Sequence, residues 1–103
     1  MTAKRNCPAV LVSGRMVNTL RAGECQLSID ADTGKPHGVY FGCPCGCGTQ
    51  GLLLFKGCGH GYAEWSVSGE WPKVTMSPSI GHRGHHMGWC WHGFLRDGMF
   101  EEC

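Results

Sequence analysis

Three cysteines within five residues, Cys43-Pro44-Cys45-Gly46-Cys47, limit what this chain can become more than any other stretch of it. Sulfurs spaced that tightly are poor partners for separate disulfides, which need well-aimed Cβ atoms, but they converge readily on one cation. Gly46 and Gly48 let the backbone curl around such an ion. A second short segment, Cys90-Trp91-His92, offers two more donors, because residues two apart on an extended strand share a face. These donors compete for the four places of a tetrahedral structural zinc site. The expected ligand set is Cys43, Cys45, Cys90 and His92, with Cys47 able to replace either member of the first pair.

The chain has 103 residues, which fits one domain spanning 1–103 with a modest core that extra stapling would help. Its eight cysteines read as metal ligands and reduced thiols and not as a disulfide framework, since Lys4 and Arg5 are followed by too short an apolar region for an export signal. Cys58, between Gly57 and Gly59, reads as a loop thiol, and Cys7, Cys25 and Cys103 as isolated reduced residues. The longest apolar runs, Ala9 to Val12 and Leu52 to Phe55, fall far short of the roughly 18 residues of a membrane span. No membrane association and a cytoplasmic location are therefore expected. A net charge of +1 gives no bulk positive field for nucleic acid or anionic lipid, although a local patch is compatible with it.

The hydrophobic pattern is that of strands. Seventeen glycines and few aliphatic runs disfavour a helix bundle. Ala63, Trp65 and Val67 alternate with Glu64, Ser66 and Ser68, and Val74 and Met76 continue the same period within Lys73 to Ser77. Gln26 to Ile29, Gly38 to Phe41 and Gln50 to Lys56 read as further strands, the last two flanking the cysteine cluster. Asp97-Gly98 between apolar stretches signals a hairpin. The fold class expected is all-β, with about six short antiparallel strands and hairpins of ordinary length closed by a zinc knuckle. Asp30-Ala31-Asp32-Thr33-Gly34-Lys35-Pro36 reads as a solvated turn and not a calcium loop, because the downstream ligand pattern is missing.

Several motifs together resemble a family of small bacterial and phage proteins: the Cys43 to Gly48 cluster, a mid-domain Trp65, the element Val74 to Ile80 with its Pro78-Ser79-Ile80, and Cys90-Trp91-His92-Gly93-Phe94-Leu95 running into a turn. The resemblance covers about residues 37–103. Gly93 departs from it, standing where an aromatic residue is usual after the histidine. The resemblance implies a zinc-binding domain, with some members placed beside genes for bacterial ubiquitin-like conjugation. It implies no established reaction.

The remaining features favour binding over turnover. Ser79 reads as a turn residue, since the sequence fixes no base or orienting acid beside it. His82, His85 and His86 read as an exposed loop, and Trp65, Trp71, Trp89 and Trp91 as core. The expected function is that of a structural-zinc protein-interaction module from a phage or mobile element. It would bind a host or operon-encoded protein through the Gly81 to Gly88 loop and an exposed Trp71 or Trp89. Two alternatives compete: a zinc hydrolase with an open coordination position and Glu64 or Glu101 as acid or base, and a nucleic-acid-binding zinc ribbon using Arg83, Arg96 and the histidine loop.

Overall fold

A computed structural model describes residues 5–12, 20–59, 63–83 and 90–103. All regular structure among them is β: β1 (Cys7–Pro8), β2 (Val10–Leu11), β3 (Glu24–Ile29), β4 (Pro36–Gly42), β5 (Gln50–Phe55), β6 (Glu64–Glu70), β7 (Lys73–His82), β8 (Trp91–Arg96) and β9 (Met99–Glu102). They form one sheet in the order β1-β9-β8-β7-β6-β5-β4-β3-β2. Because β1 and β2 flank Ala9 in one continuous stretch, the sheet begins and ends on the same piece of chain and comes round into a nearly closed barrel. Ala9 N–H donates to Gly98 O on one side, and Val10 and Val12 donate to Gly23 and Cys25 on the other. The Trp91 indole N–H adds a bond to Arg5 O at 3.0 Å, and the Arg5 guanidinium pairs with Glu102.

The all-β expectation holds, with more strands than the pattern suggested and with two parallel pairings. β2 runs parallel to β3, and β5 parallel to β6, the latter registered only at Leu54↔Glu64 and Phe55↔Trp65. The long connection after β5 returns the chain to the same end before β6 begins, which a two-residue hairpin could not do. The Asp97-Gly98 hairpin forms as expected, with positive φ at both residues, 47° and 79°. β7 extends past Ser77, where the alternation faded, to His82. Its register against β8 shifts between Met76 and Ile80, so that Ser77-Pro78-Ser79 bulges out of the ladder. A proline lacks the ladder N–H, which is why Pro78 sits at such a bulge.

Alternation decides the core. Val74, Met76 and Ile80 of β7, Trp91 and Leu95 of β8, Phe100 of β9 and Val39 and Phe41 of β4 are buried inside the barrel. Trp91 meets Phe100 edge-on at 5.9 Å between ring centroids, and Phe41 stacks on Phe100 at 6.0 Å. Trp91 thus belongs to the core as expected. Gly93 is a forced glycine: a Cβ there would lie 2.0 Å from Glu101 O and 2.7 Å from the Trp91 ring. An aromatic at this position would displace the tryptophan that fills the barrel.

Candidate functional site

At one end of the barrel the loop after β4 meets the start of β8. Cys43 N–H bonds to Thr49 O and Gly46 N–H to Cys43 O, giving a tight knuckle in which Gly46 and Gly48 take φ of 84° and 87°. The knuckle turns Cys43, Cys45 and Cys47 towards Cys90, and the four sulfurs lie within 4.8 Å of one another. The contacts are 3.2 Å for Cys43–Cys45, 2.8 Å for Cys45–Cys90 and 3.9 Å for Cys43–Cys90. All four are free thiols. A tetrahedral zinc bound at about 2.3 Å by each sulfur spaces them about 3.8 Å apart, so the observed separations bracket what one thiolate-bound cation requires.

The electrostatics also call for a cation. Without one, the hydrogen bond with Cys45 and then burial push the Cys90 thiol up to about 12. Burial likewise drives Cys43 upwards. At Cys47 burial opposes ionisation, yet hydrogen bonds from the Thr49 hydroxyl and amide and from the Cys45 and Cys90 thiols bring it down to about 6. Negative charge collects on Cys47 while Cys43 and Cys90 hold their protons. A bound cation favours the thiolate form of clustered thiols such as these.

His92 does not join this cluster, which corrects the expected geometry in one place. A shared face for Cys90 and His92 requires both to lie on one regular strand. Cys90 precedes β8, in a bend, and is turned into the knuckle, whereas His92 lies on β8 and points to the outer face. Cys47 takes the place in the cluster that had been given to His92. The imidazole Nε2 of His92 instead lies 3.1 Å from the hydroxyl of Ser79. Ser79, read from sequence as a turn residue, is in β7 at the edge of its bulge, and its carbonyl accepts the Trp65 indole N–H at 3.2 Å. A bulge re-aims a side chain out of the regular ladder, and bulges concentrate beside active sites. The sequence signal was Pro78 inside an otherwise alternating strand.

The carboxylates proposed for a zinc hydrolase are engaged elsewhere. Glu64 accepts the Gly57 and Gly59 amides and the Cys58 thiol, and Glu101 pairs with Arg96 at 3.4 Å. Arg96 also stacks over Phe94 at 4.2 Å. A second serine–histidine contact, Ser28 Oγ to His37 Nε2 at 3.1 Å, spans the β3–β4 hairpin. It too lies at a register shift, between Ser28 and Ile29, and differs from the Ser79–His92 contact in having no thiol cluster two residues from its histidine. Residues 84–89, which carry most of the proposed histidine loop together with Trp89, lie outside the described residues. Trp71 is half-buried and stacked on Phe55 at 6.2 Å. Among the described residues no helix is long and apolar enough to cross a membrane.

A family model described as bacterial ubiquitination-like system serine protease (BubE) matches residues 12–103. This supports the link to ubiquitin-like conjugation that the motif resemblance implied. No curated protein and no solved structure matches the chain.

Proposed function

The chain belongs to the family described as bacterial ubiquitination-like system serine protease (BubE), and on that premise we propose that it is a serine peptidase with Ser79 as nucleophile and His92 as general base. The contact of the Ser79 hydroxyl with His92 Nε2 at 3.1 Å carries this reading. With the imidazole proton on Nδ1, Nε2 accepts the hydroxyl proton as Oγ attacks a substrate carbonyl. The imidazolium then protonates the leaving amine as the C–N bond breaks, leaving an acyl group on Ser79. Water, deprotonated by the same imidazole, releases the acid and restores the hydroxyl. The protein partner expected from sequence becomes, in this reading, a protein substrate of the conjugation system.

The four thiols bind zinc in a closed, structural shell, and their proximity to His92 gives that metal a second purpose. Cys90 is clamped to the knuckle two residues before His92, so the metal fixes the start of β8 and with it the register that sets the imidazole beside Ser79. Four sulfur ligands leave no open position for water, which favours serine over metal chemistry. The Ser28–His37 contact has no comparable anchor.

A fluorophosphonate probe tests the assignment directly. It should label Ser79 in the wild-type protein, not label S79A, and label S28A as the wild type. His92→Ala should slow labelling by about 10²–10⁴-fold, the usual contribution of a positioned base. Equal labelling of S79A, or loss of label only in S28A, refutes the assignment.

A further inference from the structure

We infer that the groove across the lower end of β5 is a binding subsite for an extended, acidic segment of the peptide substrate, a reading that rests on the peptidase assignment above. Two adjoining cavities form it, sharing Phe55 and Lys56 as the ridge between them. The larger, of about 350 Å³, is lined by Phe55, Trp65 and Val67 together with Lys56 and Ser66, a mixed surface with an apolar part. The smaller, of about 220 Å³, is lined by Lys35, His37, Lys56 and Cys58, with Asp30 its acidic member. Asp30 keeps its charge while one of its oxygens accepts the amides of Asp32 and Thr33, so the lining sets two ammonium groups against one carboxylate. Lys35 and Lys56 are exposed and have no ion-pair partner among the described residues. The two lysines outnumber the one carboxylate of the lining, and the Glu64 carboxylate at its border is turned onto the Gly57 and Gly59 amides, so the lysines are the charges open to an occupant.

The main chain specifies an extended occupant. β6 continues past the end of β5, so from Ser66 onward it has β7 on one side and no registered strand on the other among the described residues. Trp65 O accepts the Lys56 amide from the β5 side. Strand alternation aims the amide and carbonyl of Val67 the same way, into the space above the apolar shelf. A peptide strand laid there would continue the line of β5, take those two bonds, seat one apolar side chain on Phe55 and Trp65, and carry an acidic side chain towards Lys35 and Lys56.

The groove is also joined to the chemistry. Trp65 forms its wall and donates its indole N–H to the carbonyl of Ser79 at 3.2 Å. Glu64, the residue before it, holds the Gly57–Gly59 loop that borders the smaller cavity. An occupant packed on Trp65 therefore presses on the residue that holds the nucleophile's backbone.

The test uses internally quenched octapeptides that differ at one position among Glu, Ala and Lys, scanned along the sequence and turned over by the full chain at low salt. At one position Glu should be preferred to Lys by about tenfold in kcat/KM, as expected for two exposed charge pairs, and the preference should shrink as salt rises. The double variant Lys35→Glu/Lys56→Glu should invert it, a result that misfolding cannot produce. A preference unchanged by the double variant, or no charge preference at any position, overturns the proposal. To separate it from the fate of Ser79, the same peptides are titrated into isotopically labelled S79A protein. Shifts of the Lys56 and Val67 amides and of the Trp65 indole support the groove whether or not turnover is seen. Shifts confined to other residues, no shifts at all, or tighter binding at these residues by a single-stranded dodecanucleotide would sink it.

Discussion

Stripping the metal from the thiol cluster should cost this barrel a large part of its stability, and the cost can be worked from the connectivity. The cluster ties residue 43 to residue 90, a separation of 47 residues. Treated as a cross-link, a loop of that length withdraws about 13–14 cal/mol/K from the unfolded chain, or about 4 kcal/mol at 25 °C. A domain of this size has only about 5–15 kcal/mol in total. At roughly 4–8 °C of melting temperature per kcal/mol, the metal-free protein should melt about 15–30 °C lower, and further still once the buried thiols repel or lose their partner. The assay is calorimetry on reduced protein before and after dialysis against a strong chelator, with elemental analysis of both samples. One zinc per chain is expected in the first and none in the second. Melting temperatures within 5 °C of each other in samples shown to differ in metal would refute the reasoning. So would metal content that survives Cys47→Ser unchanged but falls with His92→Ala, because that pattern would restore the histidine to the shell.

Three other outcomes follow from particular contacts. Gly93→Ala, whose Cβ would meet Glu101 O at 2.0 Å, should destabilise the fold by about 1–3 kcal/mol in urea titrations, and a neutral effect would mean that β8 and β9 can separate freely. Burial pushes the Cys25 thiol from 9.0 up to about 12, so its neutral form stabilises the fold below pH 9 and that contribution is lost as the pH rises towards 12. The stability gap between the wild type and Cys25→Ala should therefore narrow by about 1 kcal/mol between pH 9 and pH 10, and a constant gap would contradict it. Trp65→Phe keeps a ring in the groove but removes the donor to Ser79 O; probe labelling of Ser79 should slow severalfold while the melting temperature stays within a few degrees, and unchanged labelling would show that the bond positions nothing.

How far the sequence revealed this molecule depends on the range over which each feature is encoded. Alternation at Trp65, Val67, Val74 and Met76 and the Asp97-Gly98 turn are local, and the strands and hairpin they imply are present. The gathering of Cys43, Cys45 and Cys90 followed from donor chemistry, which does not depend on knowing the path between them. Assigning His92 to that cluster failed because a period of two holds only within a strand, and Cys90 lies before β8 begins. The contact between Ser79 and His92 was out of reach for a different reason. It depends on a register shift between β7 and β8, and register across neighbouring strands is set by the bulge at Ser77-Pro78-Ser79 and by tertiary packing. The parallel pairing of β5 with β6 was hidden likewise, since nothing in a strand's own pattern says in which direction its neighbour runs.

The short stretch that carries β1 and β2 has a consequence for anyone who trims this protein. Five residues, 7–11, cover the outward edge of β9 and the outward edge of β3 at once. A version cut back to the segment matched by the family model, 12–103, would present two naked strand edges from a single deletion. Each is a template for another chain, and because the barrel is nearly closed the two edges face each other across a single seam, which one strand from another copy could fill. Such a preparation would associate through borrowed strands at that seam, with β7 and β8, which carry Ser79 and His92, on the far side of β9 from it.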